Sequence, residues 1–430
     1  MKRGLLLVTL AMPMAVSAAP VAIVHARVWT MLTATPVGDA TVLLDGGKIV
    51  SVTAGDVPPP AAVIVDAHGR TVTPGLMNGG TQLGLAEVAN EADTDDRSVA
   101  SGPLGAAFDV AYAINPNSVQ LPVARADGLT RAMLMPGGAA VSPFTGLGAV
   151  IHLVPSGDIV ERARAAVFVT VGEATLDRAG GSRAAQWVLL RSALDEARVL
   201  AGRAPSLAPR DQLLSHLDAA ALIPVLARTV PLAIAANRES DIRQAIRLAA
   251  DYHVRVIIVG GVEAWCAATE LAAAAIPVVL DPEADLPQNF DQLGARLDNA
   301  AILNRAGVAI AFTVSGNTIY LSYDAGLALR EGAGIAVANG LPYAAALRAV
   351  TVAPARIWSA APLAGVLAAG APADLVIWDG DPLEPSSAPV AVYVKGRAVS
   401  LRTRQTELRD RYAPSHAGDP LPPGYPVTRR

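Results

Sequence analysis

The sequence predicts an α/β protein, a (β/α)8 TIM-like barrel with a small β-sandwich composite domain built from both termini. Three observations predict it. Short β-rich runs broken by turn residues fill the N-terminal stretch. Strand-sized apolar runs then alternate with amphipathic helical ones through the middle, and β-rich runs return near the C-terminus. The chain divides into residues 1–18 as a signal peptide, 19–74 with 360–402 as the sandwich, 75–359 as the barrel and 403–430 as a partly disordered tail.

The N-terminal stretch comes first. Lys2 and Arg3 precede an apolar run from Gly4 to Val16, followed by Ser17-Ala18-Ala19. Charge, apolar run and small residues in that order mark a secretory signal peptide, with cleavage expected after Ala18. The chain is therefore expected to be exported, to a bacterial periplasm. Hydrophobic residues make up 52% of the sequence and the mean hydropathy is +0.39, yet no apolar run beyond the leader is long enough to span a bilayer. A net charge of −4 leaves no basic footprint for nucleic acid. Cys266 is the only cysteine, which excludes a disulfide within the chain, and its Ala-rich surroundings suit a buried thiol.

Runs at Ala22 to Trp29, Ala40 to Leu44, Lys48 to Val52, Val63 to Asp66 and Thr71-Val72 read as strands, with Asp45-Gly46-Gly47 as a turn. In the middle, Thr130 to Met135, Ala166 to Val171, Val230 to Ala235, Val254 to Val259, Ile276 to Leu280 and Gly307 to Phe312 are continuously apolar, as buried parallel strands are. Helical stretches such as Gln186 to Leu200 and Ser240 to Asp251 lie between them. With the strand that opens the barrel this makes seven candidates, and the eighth is expected between Glu173 and Arg228. An open doubly wound sheet is the alternative. No dinucleotide glycine fingerprint and no P-loop is present. Strands at Gly370 to Pro382 and Val390 to Val399 follow, and Pro414 to Arg430 is Pro-rich and polar.

Three segments carry a family resemblance: Asp66-Ala-His-Gly-Arg-Thr-Val-Thr-Pro-Gly-Leu76, then Ala345-Ala-Leu-Arg-Ala-Val-Thr-Val-Ala-Pro-Ala355, then Gly370-Ala-Pro-Ala-Asp-Leu-Val-Ile-Trp378. In that order they make the chain resemble the amidohydrolase superfamily, in particular its imidazolonepropionase-like branch, over nearly all the mature sequence. The resemblance implies hydrolysis of C–N bonds in cyclic amides, amidines or dipeptides. It also implies one or two zinc-like ions at the C-terminal mouth of the barrel. Such ions are held by histidines of the first, fifth and sixth strands and an aspartate of the eighth, with a carboxylated lysine or a glutamate bridging binuclear pairs. The metal would lower the pKa of bound water to about 7, and the aspartate would move the proton to the leaving nitrogen.

Laid on this sequence, those ligand positions hold other residues. The first-strand pair falls on Gly80 and Gln82, the fifth-strand histidine on Ala235, and the sixth on Gly260 or Gly261. No acid occurs between Ala311 and Gly316, and no lysine between Lys48 and Lys395. Glycine and alanine offer no donor, and an amide oxygen is a poor zinc ligand. His152, His216 and His253 in the barrel, His25 and His68 in the sandwich and His416 in the tail all read as ordinary structural or surface residues. Glu87, Glu91, Asp93, Asp95 and Asp96 read as a solvated loop, without the spacing of a calcium loop. The expected cofactor is none.

Gln82, Glu173, Asn237, Arg238, Glu263, Ser315 and Asn317 lie at or just past strand ends and are the pocket candidates, with Arg238 beside Asn237 suited to a carboxylate. As plain structure they would anchor loops and start helices. Trp187 and Trp265 fit helix faces packed on the barrel. Three functions follow. The first is a non-catalytic member that binds a small molecule at the vacated mouth or pairs with an active relative. The second is a hydrolase with an unusual or metal-free site, built for example on Glu87 and Glu173. The third is a structural or interaction protein with a filled pocket.

Overall fold

The computed structural model describes residues 19–55, 57–88, 91–202, 213–314 and 323–413. The expected signal peptide, Ser315, Asn317 and the stretch from Pro414 onward lie outside the described residues.

The N-terminal strands are β1 (Val21–Val28), β2 (Val37–Asp45), β3 (Lys48–Ala54), β4 (Val63–Asp66) and β5 (Thr71–Pro74). The chain then enters the barrel through β6 (Leu76–Thr81), β7 (Leu129–Leu134), β8 (Phe144–His152) and β9 (Val160–Thr170). It completes the barrel with β10 (Leu232–Ala236), β11 (Val256–Gly260), β12 (Val278–Leu280) and β13 (Ile310–Phe312). These eight strands form one sheet in chain order, and its two ends meet without a backbone ladder: the Thr313 hydroxyl on the β13 side donates to the Gly80 carbonyl at 2.6 Å. The barrel is nearly closed, and the doubly wound alternative falls.

Two details differ from expectation. The eighth strand is β8, of which the sequence shows only Ala149 to Val154 as a strand-like run in an apparent insertion; among the described residues, the stretch from Glu173 to Arg228 is helical. β8 also runs antiparallel to both neighbours, so the barrel departs from strict β/α alternation there. A hairpin needs only a short loop, and β7, β8 and β9 follow one another with no helix between them.

Strand parity partitions the core. On β10, Leu232, Ile234 and Ala236 join the large cluster under the helices, while Ala233 and Ala235 point inward. The same alternation puts Met133, Phe168, Ile257, Val279 and Ala311 inside the barrel. The fully buried Trp358 fills the interior below the mouth, 5.6 Å from Phe168 between ring centroids and donating to the Gly79 carbonyl at 2.8 Å. Among the outer elements, the helix Glu239–Tyr252 buries Ile242, Ala245 and Leu248 at helical spacing and carries acids in its first turn, where the helix dipole favours them.

After the barrel come β14 (Leu375–Trp378), β15 (Pro389–Val394) and β16 (Arg397–Ala398). They join β1 to β5 in one sheet through antiparallel pairing of β14 with β5, so both termini do build a common unit. It is a single hydrogen-bonded sheet where two facing sheets were expected. The sheet curls: the β3 amide of Ile49 reaches the Ala371 carbonyl at 2.9 Å, ahead of β14. Residues 404–412 form a helix with a capping box at Thr403. No helix of the described residues is long and apolar enough to cross a membrane.

Candidate functional site

The C-terminal strand ends form the mouth. Parity continues the inward rows, so Met135 follows Met133, Thr170 follows Phe168, Ala235 follows Ala233 and Thr313 follows Ala311. Met135, Thr170 and Thr313 carry no metal-ligand signature and escape a motif search, although their spacing from inward residues would have found them.

Gly80 sits at the end of β6 and is buried. A side chain there would place its Cβ 2.2 Å from Met135 Cε and 3.0 Å from Thr313 Oγ1. Gln82 lies one residue past the strand, and its Oε1 accepts from Arg97 at 2.9 Å, so it is tied to the following loop. Ala235 faces inward and is half-buried. Gly260 closes β11 at φ +84°, and a Cβ on it would lie 2.4 Å from Asn237 Oδ1. That Oδ1 is itself buried and, among the described residues, has no hydrogen-bond partner.

The other candidates are engaged elsewhere. Arg238 donates its Nε to Asp241 at 3.0 Å, and Asp241 is buried and also accepts from Trp187 Nε1. Glu263, also buried, accepts from the Glu239 amide at the helix N-terminus and from the Gly294 amide, both at 2.8 Å. For Arg238 and Glu263 the loop-anchoring role is the one the geometry displays. Glu173 is exposed and accepts from the Phe290 amide at 3.2 Å. Glu87 is taken up by Asn115 and Ser118, so it and Glu173 are each held by separate neighbours. In the acidic loop, Arg97 claims Asp95. His152 sits in a buried ion cluster with Arg131, Glu161 and Asp374, and His253 is the left-handed C-cap of the helix Glu239–Tyr252. Among the described residues no three His, Cys, Asp or Glu side chains gather so as to hold a metal ion.

One carboxyl that motif reasoning passes over is Glu283, just beyond β12. Burial pushes it up to about 7, and the negative charges of Asp281, Glu331 and Asp285 add to the shift. A folded value above the ordinary 4.5 means that its contribution to stability declines as the pH rises from about 4.5 through about 7. Glu283→Gln should therefore leave stability unchanged near pH 4.5. Near pH 8 it should raise stability by on the order of 1 kcal/mol, allowing for solvent screening of this half-exposed group. Urea midpoints at the two pH values check this, and equal shifts at both would contradict it.

Comparison with known proteins agrees with the architecture. The chain is 49% identical over 59 residues to the amidohydrolase tasK of Hapsidospora irregularis, an alignment covering 14% of this chain and only 6% of that protein. An amidohydrolase from Thermotoga maritima MSB8 superposes with a TM-score of 0.78 at 24% identity, over 89% of this chain and all of the other. A prolidase crystallised with N-methylphosphonate-L-proline superposes with a TM-score of 0.56 at 20% identity, over 89% of this chain and 99% of its own. At such identities the two structures speak for the fold. The sequence pattern described as the amidohydrolase family matches residues 147–399, more than half of the chain, and with that span the protein belongs to the amidohydrolase family.

Proposed function

We propose that this protein is an exported amidohydrolase-family member that does not use the family's metal and keeps the barrel mouth as a binding site for a small amide- or carboxylate-bearing molecule. One observation carries the reading. The first- and sixth-strand ligand positions are glycines whose side-chain space is taken, at Gly80 by Met135 and at Gly260 by Asn237. The donors left around them are a thioether, a hydroxyl and a carboxamide, a poor set for zinc, and Gln82 is spent on Arg97. The residues present do not fit the metal. The Asn237 Oδ1 offers a ligand a hydrogen bond that the described residues leave unmade. The imidazolonepropionase-like branch remains our assignment from the three sequence segments.

The experiment is metal analysis of the purified protein beside a panel of cyclic amides and dipeptides, prolyl dipeptides included. The expected result is substoichiometric zinc and no chelator-sensitive turnover, with saturable binding of a panel member that Asn237→Ala weakens. Stoichiometric zinc with turnover abolished by chelator would overturn the proposal. Metal-free hydrolysis is the second reading, favoured by Glu283: a carboxyl near 7 suits a general acid or base. Turnover lost in Glu283→Gln but indifferent to chelator would select it.

A further inference from the structure

A cleft of about 940 Å3 separates the curled sheet from the base of the barrel, on the face opposite the mouth. Its rim is made of three turns, Asp45–Lys48, Pro155–Asp158 and Lys395–Arg397, and its floor includes Arg131, His152 and Glu161. The chain holds only three lysines, Lys2, Lys48 and Lys395, and two of them stand on this rim. Elsewhere among the described residues, ion pairs are made by arginine or histidine. Among the described residues, Lys48, Lys395 and Arg397 have no carboxylate within pairing distance.

The two turns that carry the lysines pack against each other. Gly46 and Gly47 (φ +55° and +79°) and Lys395 and Gly396 (φ +50° and +72°) each form a left-handed pair, the two-residue hairpin turn that suits twisted strands. A Cβ on Gly396 would lie 3.4 Å from Gly47 Cα, so the turns pack through their glycines. The Ala373 amide donates to the Gly47 carbonyl at 3.0 Å, and the Gly396 amide to the Ala373 carbonyl at 2.8 Å. This fastens both turns to the segment before β14.

The acids of the cleft are less available. Glu161 accepts from Arg131 Nε at 2.9 Å and from the Ala361 amide at 2.8 Å. Asp158 accepts from the Val160 amide at 2.9 Å. Asp45 is the open carboxylate of the rim, against three open cations. We propose that this cleft binds the oxyanion group, carboxylate or phosphate, of a small molecule, with Lys48, Lys395 and Arg397 as the contacting cations. Lysine acts there as a compact, strongly hydrated point charge that does not demand bidentate geometry.

The test uses the full chain, with inorganic phosphate and succinate as probes at constant ionic strength. One readout is calorimetric binding; the other is acylation of Lys48 and Lys395 by acetic anhydride, followed by mass spectrometry. At a probe concentration ten times Kd, both lysines should acylate about tenfold more slowly. The Lys48→Ala/Lys395→Ala variant should bind the probe at least about tenfold more weakly. Both lysines are exposed on turns, so the variant should fold, and Asn237→Ala at the mouth should leave the probe's protection of both lysines from acylation in place. Preference between the probes separates phosphate from carboxylate. Absence of binding by both, unchanged acylation, or binding that survives in the double variant but falls in Asn237→Ala overturns the cleft and leaves the mouth proposal standing.

Discussion

Replacing Arg131 with methionine is expected to cost about 3–5 kcal/mol of folding stability, because it takes the cation away from the buried Asp374 and the partly buried Glu161. Arg131 lies on β7 and is almost wholly buried; it donates through Nε to Glu161 at 2.9 Å and through Nη1 to Asp374 by a short bond. His152 completes the cluster, with Nε2 3.1 Å from Asp374. Three barrel strands and the residue preceding β14 thus share one set of charges, which makes the cluster the polar clamp between barrel and sheet. Burial alone would raise the Asp374 carboxyl, but the His152 hydrogen bond, the Arg131 charge and the Lys395 amide outweigh it and bring it down to about 2. The depressed value fixes the sign: the clamp's contribution is present above the ordinary 3.8 and is lost as pH falls through about 2. Urea denaturation of wild type and Arg131→Met at neutral pH and between about pH 4 and 2 checks both statements. Arg131→Lys keeps the charge without the two-pronged donor and should fall between them. A loss below about 1 kcal/mol in Arg131→Met would mean that the clamp is no stronger than an exposed ion pair.

That cluster also marks where sequence reading stops. Arg131 and Asp374 are 243 residues apart, and nothing local to either announces the other. The strands themselves were legible, because continuous apolar runs such as Val254 to Val259 have few other uses between amphipathic helices. Direction was not. An apolar run reads alike whichever way it lies in a sheet, so Ala149 to Val154 could be seen as strand-like but not as part of the antiparallel eighth member of the barrel, Phe144–His152. The shared unit of the termini was legible from two separated β-rich stretches, while its single curled sheet depends on the pairing of β14 with β5.

The mouth divides in the same way. Gly80, Ala235 and Gly260 could be read as positions without donors, since that is a property of residue type. What fills them could not, since it depends on Met135 and Asn237 reaching across from neighbouring strands. Arg238 and Glu263 looked free because charged residues after strands suit both ligands and helix caps. Their partners, Asp241 and the Glu239 and Gly294 amides, decide for anchoring.

Installing a histidine at the proposed sixth-strand ligand position by Gly260→His should destabilise the protein by about 2–5 kcal/mol and bring no zinc with it. Two separable costs make up that figure. At φ +84° any L side chain is strained, by about 1–2 kcal/mol, and the new Cβ would lie 2.4 Å from Asn237 Oδ1, an overpacking that costs about 1–3 kcal/mol. A double-mutant cycle with Asn237→Ala separates them, since shortening Asn237 removes the clash and leaves the backbone strain. Gly80→His differs in kind. Its clash is with the end of the flexible Met135 side chain, which can swing aside, so the stability loss should be smaller and Met135→Ala should relieve it. Zinc uptake, measured by elemental analysis after dialysis, should appear in neither single variant, because one imidazole does not make a tetrahedral site. If Gly260→His were as stable as wild type and held stoichiometric zinc, the mouth would already have the geometry of a metal site. The strain at Gly260 argues the reverse: the backbone there holds a shape that favours glycine, so a metal site would need changes in backbone and neighbours as well as new histidines.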